Sequence, residues 1–339
     1  MTSLRNARIT AVGSALPARL VPNSWFESFL DTSDEWIRSR TGIRARHFVG
    51  EGESTASLGT DAARRALEAA GVPAEAVDLI VVATLTPDRP MPSAATFVQA
   101  MLEISCPAFD LNAACSGFVY GLSVAAAQVQ AGAAERVLVI GAESLSRVLD
   151  FTDRATCVLF GDGAGAALVE PSDEPGILGS VLELDGTQAD LLTIPGGGSV
   201  DPPSEETLAG RRHFIKMASG QAVFKRAVTG MAGACGELLE KAGMRPEDVA
   251  LVVPHQANER IMMAVANRLG VPHEKVFVDV AEVGNTSAAS IPIALDHAWR
   301  SGRLAPGDVV LTTAFGAGLS WGANLVRWTA PAPAPAEGA

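Results

Sequence analysis

The sequence predicts an α/β protein made of two similar halves, and two observations carry this prediction. Short apolar runs typical of strands alternate with alanine-rich segments of helical period, which indicates crossover helices and a mainly parallel, buried sheet. Segments of the first half also resemble segments of the second at a shared shift of 172 residues, which indicates a duplication. With 339 residues, 48% of them hydrophobic, the chain can bury a core in each half.

The predicted strands lie at residues 79–84, 137–142, 166–169, 250–254 and 309–315. Segments such as TDAARRALEAAG and ANERIMMAVANRLG have the spacing of helices that pack one face on a sheet. The N-terminal stretch MTSLRNARITAVGSALP has a short, broken apolar run, so it predicts a first strand and not a signal peptide. No apolar run reaches the roughly 18 residues of a membrane-spanning helix, and we expect a cytoplasmic protein with no membrane partner.

The duplication is visible in three pairs of segments. AGVPAEAVDLIVVAT resembles AGMRPEDVALVVPHQ, and the same shift of 172 residues aligns RVLVIGA with DVVLTTA. FGDGAGAALV and FGAGLSWGANLV are alike at a shift of 155. We therefore predict an N-terminal half at residues 1–172, a C-terminal half at residues 173–330, and a disordered tail, rich in proline and alanine, at residues 331–339.

Polar residues are expected to meet where the two halves face each other. Under the shift of 172, Cys115 aligns with Ser287 and Ala83 aligns with His255. If the halves pack about a pseudo-twofold axis, the turn carrying Cys115 lies near the turn carrying Asn285. His255 then opens onto the same crevice, at the carboxyl ends of strands where α/β proteins bind ligands.

This set of residues predicts acyl transfer followed by carbon–carbon bond formation. Cys115 begins a helix-like run, where partial positive charge lowers the pKa of a thiol and its backbone N–H can donate to an oxyanion. The Asn285 amide donates hydrogen bonds, which an ionised carboxylate cannot do, so with His255 it is suited to stabilise an enolate. Taken singly, Cys115 is equally a small core residue, His255 a structural histidine and Asn285 a helix cap.

Other classes of protein are disfavoured. A net charge of −12 argues against nucleic acid as a partner. The four cysteines form no C-x-x-C pair, so we expect free thiols and no metal site. GDGAGA precedes a strand-like run instead of opening a helix, which argues against a dinucleotide cofactor.

Six segments together resemble the β-ketoacyl-acyl-carrier-protein synthase III family of the thiolase-like superfamily, in order over about residues 5–328. They are TSDEWIRSRTGIRARH, CPAFDLNAACSGF, TDRATCVLFGDGAGAALV, VPHQANERI, GNTSAASIPIAL and FGAGLSWG. The resemblance implies two duplicated βαβαβαββ halves packed as a five-layered αβαβα sandwich, in a homodimer. It also implies an enzyme without a cofactor that initiates fatty acid synthesis.

By this resemblance, Cys115 takes an acyl group from acyl-CoA. Malonyl-ACP then decarboxylates where His255 and Asn285 hydrogen-bond the thioester oxygen, and the carbanion attacks the acyl-enzyme to give 3-oxoacyl-ACP. The other residues implied are Trp36 and Arg154 flanking the CoA adenine, Arg40 at its phosphates, Asn258 beside the pantetheine arm, Lys225 and Arg260 for the acidic carrier protein, and Phe315 over Cys115.

The sequence departs from the family pattern at two positions. Ala317 replaces a glycine whose backbone N–H completes the oxyanion hole, which requires backbone angles that suit a residue with a Cβ. Met91 stands where a phenylalanine often limits the starter pocket of the neighbouring subunit, so the sequence leaves the starter open and is compatible with starters other than acetyl. The alternatives are a relative that primes polyketide assembly or transfers acyl groups without decarboxylation, and a non-catalytic acyl-CoA-binding protein. A thioester hydrolase is weaker, since no carboxylate is evident to orient His255.

Overall fold

The computed structural model describes residues 5–332, so residues 333–339 of the predicted tail lie outside the described residues. Pro331, at the start of that tail, accepts a hydrogen bond of 2.7 Å from the Trp299 indole. No helix within residues 5–332 is long and apolar enough to cross a membrane. The strands are β1 (Asn6–Ala15), β2 (Arg19–Pro22), β3 (Ala45–Phe48), β4 (Leu79–Ala83), β5 (Ala108–Leu111), β6 (Val137–Glu143), β7 (Gly163–Ser172), β8 (Ile177–Leu184), β9 (Leu192–Thr193), β10 (Lys216–Met217), β11 (Leu251–Pro254), β12 (Val309–Gly316) and β13 (Ser320–Arg327).

Two helices show how the sequence sets helix ends. Ser54 and Ser57 form a capping box at the start of α3, and Gly71 ends this helix in the left-handed conformation. The helices are α1 (Asn23–Glu27), α2 (Asp34–Thr41), α3 (Thr55–Ala70), α4 (Ala94–Met101), α5 (Gly117–Gln130), α6 (Glu205–Ala209), α7 (Gly220–Lys241), α8 (Glu259–Leu269), α9 (Val280–Val283) and α10 (Ser290–Arg300).

Two mixed sheets form the frame of the molecule. The first has the order β1-β7-β6-β4-β5 and the second the order β11-β12-β13-β8. β4 runs parallel to β5 and β6, and β11 runs parallel to β12. The other four pairs are antiparallel, so the prediction of mainly parallel sheets is wrong. The alternation of strand-like and helical segments predicts strands joined by crossover helices, which run parallel. β6 and β7 are joined without a crossover helix, as are β12 and β13, and each of these pairs is antiparallel.

The layers follow the predicted αβαβα order. α3 and α4 cover the outer face of the first sheet, α5 and α10 lie between the two sheets, and α7 covers the second sheet with α8 packed beside it. Small residues permit this packing, since a Cβ on Gly13 in β1 would lie 2.5 Å from the backbone nitrogen of Ala66 in α3. The central layer is therefore buried on both sides, and its helix starts lie where the two sheets face each other.

The predicted strands are confirmed as β4, β6, β7, β11 and β12, with β1 as the predicted first strand. The first sheet takes its strands from residues 6–172 and the second from residues 177–327. The second sheet has one strand fewer than the first. At the position that corresponds to β5, the second half has a single parallel bridge between Val252 and Val276, and the extended segment ends where α9 begins at Val280.

Candidate active site

Cys115 lies in a 3₁₀ turn, Ala114–Ser116, that leads directly into α5. The residue is 7% exposed, and small neighbours let backbone from the other half approach it. A Cβ on Gly316 would lie 2.7 Å from the Cys115 backbone nitrogen, and a Cβ on Gly117 would lie 3.3 Å from the Cβ of Ala288. The two halves therefore meet at this turn.

The turn that corresponds to it in the second half is Ser287–Ala289, which leads into α10. Each turn begins with a residue in the left-handed conformation, Ala114 at φ 46° and Ser287 at φ 50°. The shift of 172 residues holds for β4 with β11 and for β6 with β12 but becomes 173 here. The predicted alignment of Cys115 with Ser287 is wrong by one residue, because the second half has one extra residue before its turn. Cys115 corresponds to Ala288.

A cavity of about 340 Å³ opens in front of Cys115. His255 and Asn285 line it with the cysteine, so the structure brings these three predicted residues together. Leu192 and Met217, from the two short strands β9 and β10, also line the cavity. The other predicted residues on its wall are Trp36, Arg40, Arg154, Asn258 and Phe315.

His255 follows β11 and is fixed by two hydrogen bonds. Its backbone nitrogen donates to the Thr313 carbonyl at 2.7 Å, and its Nδ1 lies 2.6 Å from the Ser290 hydroxyl oxygen. Nε2 is therefore the ring nitrogen left for the cavity. Burial lowers the pKa of His255 to about 3, so the imidazole is neutral at pH 7.

Asn285 is held by backbone and side-chain bonds together. Its backbone nitrogen donates to Leu159 and its carbonyl accepts from Gly161, both at 2.9 Å. Its Oδ1 accepts from the Ser287 backbone nitrogen at 2.9 Å. Because this bond uses the amide oxygen, the Nδ2 group is the part of the side chain left to donate hydrogen bonds.

The Cys115 thiol does not have the lowered pKa expected for a cysteine at a helix start. Burial raises the pKa of Cys115, the Ser287 hydroxyl opposes this effect and the Glu143 carboxylate adds to it, and the resulting pKa is about 12. The cause is desolvation, since a buried thiolate loses hydration that the helix start does not replace. The resting side chain is therefore a thiol, and its proton must leave during reaction.

Ala317 lies in the turn between β12 and β13. Its backbone angles suit a residue with a Cβ, as an alanine at this position requires. It is not among the residues with positive φ, whereas the following Gly318 has φ 135°. The Ser320 hydroxyl lies 3.2 Å from the Ala317 carbonyl and 3.0 Å from that of Ala113, next to the cysteine turn. Alanine is thus tolerated, because the left-handed conformation falls on Gly318.

The mouth of the cavity is aromatic and basic. The guanidinium carbons of Arg40 and Arg154 lie 4.5 Å and 4.8 Å from the centre of the Trp36 ring. Asn258 joins this mouth to α8: its Nδ2 donates to the Arg40 carbonyl at 3.0 Å, and its Oδ1 accepts from the Arg260 backbone nitrogen as the N-cap. An apolar cavity behind a cationic rim suits a ligand with an apolar arm and an anionic head.

Four predicted residues lie away from the cavity wall: Ala317, described above, and Lys225, Arg260 and Met91. Lys225 and Arg260 are exposed, and Arg260 lines a separate groove beside Phe224 and Asn258. Met91 is 85% exposed and does not line the cavity. Within residues 5–332, no group of three or more histidine, cysteine or acidic side chains could hold a metal ion.

Sequence reasoning missed three buried polar residues around the site. Ser290 contacts His255, Ser287 contacts Asn285 through its backbone, and Glu143 raises the pKa of Cys115. Both serines belong to the segment GNTSAASIPIAL, but the sequence of a turn does not show which of its hydroxyls faces the site. Glu143 ends an apolar strand, and a lone acid there gives no signal of what it faces.

The two half-folds and the crevice between them define a protein of the thiolase-like class. Residues 109–186 match the family described as 3-oxoacyl-[acyl-carrier-protein (ACP)] synthase III, and residues 239–328 match its C-terminal part. A β-ketoacyl-[acyl-carrier-protein] synthase III of Roseiflexus sp. (strain RS-1) is 49% identical over 96% of this chain and 99% of its own length.

Solved structures resemble this chain over nearly its whole length. The 3-oxoacyl-[acyl-carrier-protein] synthase III of Aquifex aeolicus VF5 has a TM-score of 0.88 and 46% identity, covering 95% of this chain and all of its own. A priming β-ketosynthase of the R1128 polyketide pathway has a TM-score of 0.91 and 39% identity, with 98% of each chain covered. The chain belongs to the 3-oxoacyl-[acyl-carrier-protein] synthase III family.

Proposed function

We propose that this protein condenses an acyl-CoA starter with malonyl-ACP to give 3-oxoacyl-ACP and CO2, the step that initiates fatty acid synthesis. Membership of the family supports the reaction. The observation that carries the assignment of residues is that Cys115, His255 and Asn285 line one cavity. The reaction needs no cofactor, because the thioester activates both substrates.

The first half-reaction is acyl transfer to sulfur. Cys115 attacks the thioester carbonyl of acyl-CoA, and the backbone N–H groups of Cys115 and Ala317 stabilise the oxyanion. The Ser320 hydroxyl contacts the carbonyls of both Ala113 and Ala317. These contacts hold the turn of Cys115 next to the turn of Ala317, which supports a joint role for the two N–H groups. Loss of one such donor costs on the order of 100- to 1000-fold in rate.

The second half-reaction is decarboxylation and attack. His255 Nε2 and Asn285 Nδ2 donate hydrogen bonds to the malonyl thioester oxygen, which becomes an enolate oxygen as CO2 leaves. Ser290 positions His255, since its hydroxyl oxygen lies 2.6 Å from Nδ1. With the Ser290 hydroxyl donating to Nδ1, the imidazole carries its own proton on Nε2, as the donor role requires. The enolate carbon then attacks the acyl-enzyme.

Substrate binding is assigned to the residues of the cavity mouth. Trp36 and Arg154 hold the adenine of CoA, Arg40 meets its phosphates, and Asn258 lies beside the pantetheine arm. The cation–π stack of the three rim side chains supports a site for a flat ring beside anionic groups. The residues assigned to the acidic carrier protein, Lys225 and Arg260, are both exposed.

A homodimer completes the proposal. β5 is the edge strand of the first sheet, and its Phe109 is 40% exposed. Met91 is 85% exposed, as expected of a side chain that reaches the starter pocket of the partner subunit. The four cysteines are free thiols, which favours the reducing cytoplasm as the location.

A second candidate is the priming step of polyketide assembly. The high TM-score of the polyketide-pathway ketosynthase favours it, and its chemistry at Cys115, His255 and Asn285 is the same. The two candidates differ in the carrier protein that delivers malonate, so condensation rates with fatty acid and polyketide carrier proteins separate them.

The substitution Asn285→Asp tests the assigned chemistry. The aspartate still accepts from the Ser287 backbone nitrogen but replaces the Nδ2 donor with a charged acceptor. We expect condensation and malonyl-ACP decarboxylation to fall about 100-fold or more, while acylation of Cys115 stays within a few fold. Rapid-quench measurement of each half-reaction checks this. Condensation at the wild-type rate would remove Asn285 from the mechanism.

A further inference from the structure

A buried acid, Glu143, lies near Cys115 and has no role in the proposed half-reactions. Glu143, the last residue of β6, is fully buried. Its Oε2 accepts from the hydroxyls of Thr84 at 3.2 Å and Thr86 at 2.5 Å and from the Thr86 backbone nitrogen at 3.2 Å. Within residues 5–332, its Oε1 has one long contact, 3.3 Å from the Leu85 backbone nitrogen. One carboxyl oxygen therefore retains acceptor capacity.

The turn Ser287–Ala289 lies between Glu143 and Cys115. It packs directly on β6, since a Cβ on Gly141 would lie 2.2 Å from the Ala288 carbonyl oxygen. The same turn abuts the start of α5 at Gly117, two residues after the cysteine. The first residue of this turn is therefore between the buried acid and the thiol.

The Ser287 hydroxyl has no settled partner. The residue is fully buried, and its Oγ forms no hydrogen bond of standard geometry with any residue in the range 5–332. Its turn packs against both β6 and the start of α5, and its hydroxyl lowers the pKa of the Cys115 thiol and of the Glu143 carboxyl. A buried hydroxyl without a fixed partner is costly, and a role in transferring a proton accounts for it.

We propose that Glu143 receives the Cys115 proton through the Ser287 hydroxyl when the acyl-enzyme forms, and returns it when the product leaves. The proposal rests on the proposed function and adds the group that removes the thiol proton. It is independent of His255, whose imidazole is neutral and whose Nδ1 contacts the Ser290 hydroxyl.

The protons balance over the cycle. In acylation, the sulfur–carbon bond forms as the thiol proton passes to Ser287 and the Ser287 proton passes to the Glu143 carboxylate. CoA leaves as a thiolate and takes a proton from solvent. In condensation, the enolate carbon attacks the acyl-enzyme and expels the Cys115 thiolate, which recovers its proton from Glu143 by the reverse path.

The surroundings of Glu143 fit this exchange. The groups that face it are the thiol of Cys115 from the α5 turn, the hydroxyls of Thr84 and Thr86 from the segment after β4, and Ser287. His255, at the end of β11, is neutral. Burial raises the pKa of Glu143 to about 7, which allows the carboxyl to take up and release a proton near neutral pH.

The test is the pH dependence of Cys115 acylation in Glu143→Gln and Ser287→Ala. Ala114 adopts nearly the same φ as Ser287, so alanine is tolerated in this turn. Single-turnover acylation by acyl-CoA is followed by rapid quench from about pH 5.5 to about pH 9. We expect the wild-type rate to rise through about pH 7 and then level. Both variants should be at least about 10-fold slower at pH 7 and should keep rising to pH 9, as hydroxide replaces the relay.

Asp162→Asn is the matched control. Asp162 is also fully buried and ties a loop through the Val49 backbone nitrogen and the Ser146 hydroxyl, so its loss should leave the shape of the pH profile unchanged. A wild-type profile in Glu143→Gln, or a rate lower by one constant factor at every pH, would overturn the relay. If Glu143→Gln does not fold, Ser287→Ala decides by the same criterion.

Failure of the relay and failure of the proposed function give different results. Decarboxylation of malonyl-ACP without acyl-CoA depends on His255 and Asn285, so it should be unchanged in both relay variants. Loss of decarboxylation in Ser287→Ala would show that the turn had moved and would contradict a specific role for its hydroxyl. A wild-type enzyme that forms no acyl-enzyme would overturn the proposed function and the relay together.

Discussion

His255 and Glu143 are buried within one site, and burial shifts their pKa values in opposite directions. Both shifts have the same cause, because a low-dielectric surrounding favours the uncharged form of each group. The result is a site with a neutral imidazole and a carboxyl that titrates near pH 7. The enzyme can thus keep a hydrogen-bond donor uncharged for the enolate while a separate residue accepts the thiol proton.

These two shifts predict how stability depends on pH. The pKa of His255 falls from 6.5 to about 3 on folding, so the unfolded state binds more protons in that interval and stability falls as pH decreases. The pKa of Glu143 rises from 4.5 to about 7, so the folded state binds more protons between those values and stability rises as pH decreases. Between about pH 6.5 and 4.5 the two effects offset each other.

Glu143→Gln should therefore expose the His255 effect. Relative to wild type, its free energy of unfolding should fall by about 1.4 kcal/mol for each pH unit between about pH 6.5 and pH 4.5. Urea unfolding at several pH values measures this difference. The double variant Glu143→Gln with His255→Gln should return to the wild-type slope. Parallel curves for wild type and Glu143→Gln would contradict the raised pKa of Glu143, and a flat curve for Glu143→Gln would contradict the burial of His255 as a neutral group.

At the scale of elements, Gly316, the last residue of β12, lies where a side chain does not fit. A Cβ on Gly316 would lie 2.7 Å and 3.0 Å from the backbone nitrogens of Cys115 and Ser116. Gly316→Ala must displace the turn that carries the nucleophile, and we expect acylation to fall about 100-fold or more.

Ala317→Gly is the matched control for this prediction. Because Ala317 already has an ordinary φ, glycine adds no conformation that the turn needs. Acylation should stay within a few fold, with a loss of up to about 1 kcal/mol in stability from the more flexible unfolded chain. Acyl-enzyme formation by rapid quench and urea unfolding measure both quantities. Equal activity losses in the two variants would mean that the contact of Gly316 with the cysteine turn is unimportant.

The sequence predicts elements better than it predicts how they pair. Apolar runs locate β4, β6, β11 and β12 because buried strands need them. The direction of β7 and β13 was not predictable in this way, since hydrophobicity does not show whether a connection crosses over or turns back. The one-residue slip between the turns of Cys115 and Ala288 was missed because short apolar segments align equally well at neighbouring registers.

At the scale of the whole molecule, the duplication is what brings the site together. The two corresponding turns, one in each half, pack against the sheet of the other half. The turn at Cys115 contacts β12, and the turn at Ser287 contacts β6. Because each turn packs on the other half, residues that are distant in sequence line one cavity. The internal repeat in the sequence predicts this arrangement. The hydrogen bonds of Ser290, Ser287 and Glu143 depend on side-chain geometry that no repeat encodes.

The central claim is that Cys115 carries the acyl group during condensation. Cys157 provides a matched control, because it is also a buried free thiol whose pKa is raised to about 12. The measurement is the intact mass of the protein after incubation with a panel of acyl-CoA starters, followed by addition of malonyl-ACP. The variants compared with wild type are Cys115→Ala and Cys157→Ala.

We predict a mass increase of one acyl group on wild type and on Cys157→Ala, none on Cys115→Ala, and loss of the adduct with release of CO2 and 3-oxoacyl-ACP when malonyl-ACP is added. Failure of every starter to acylate the wild type, or acylation that persists in Cys115→Ala, would contradict the claim.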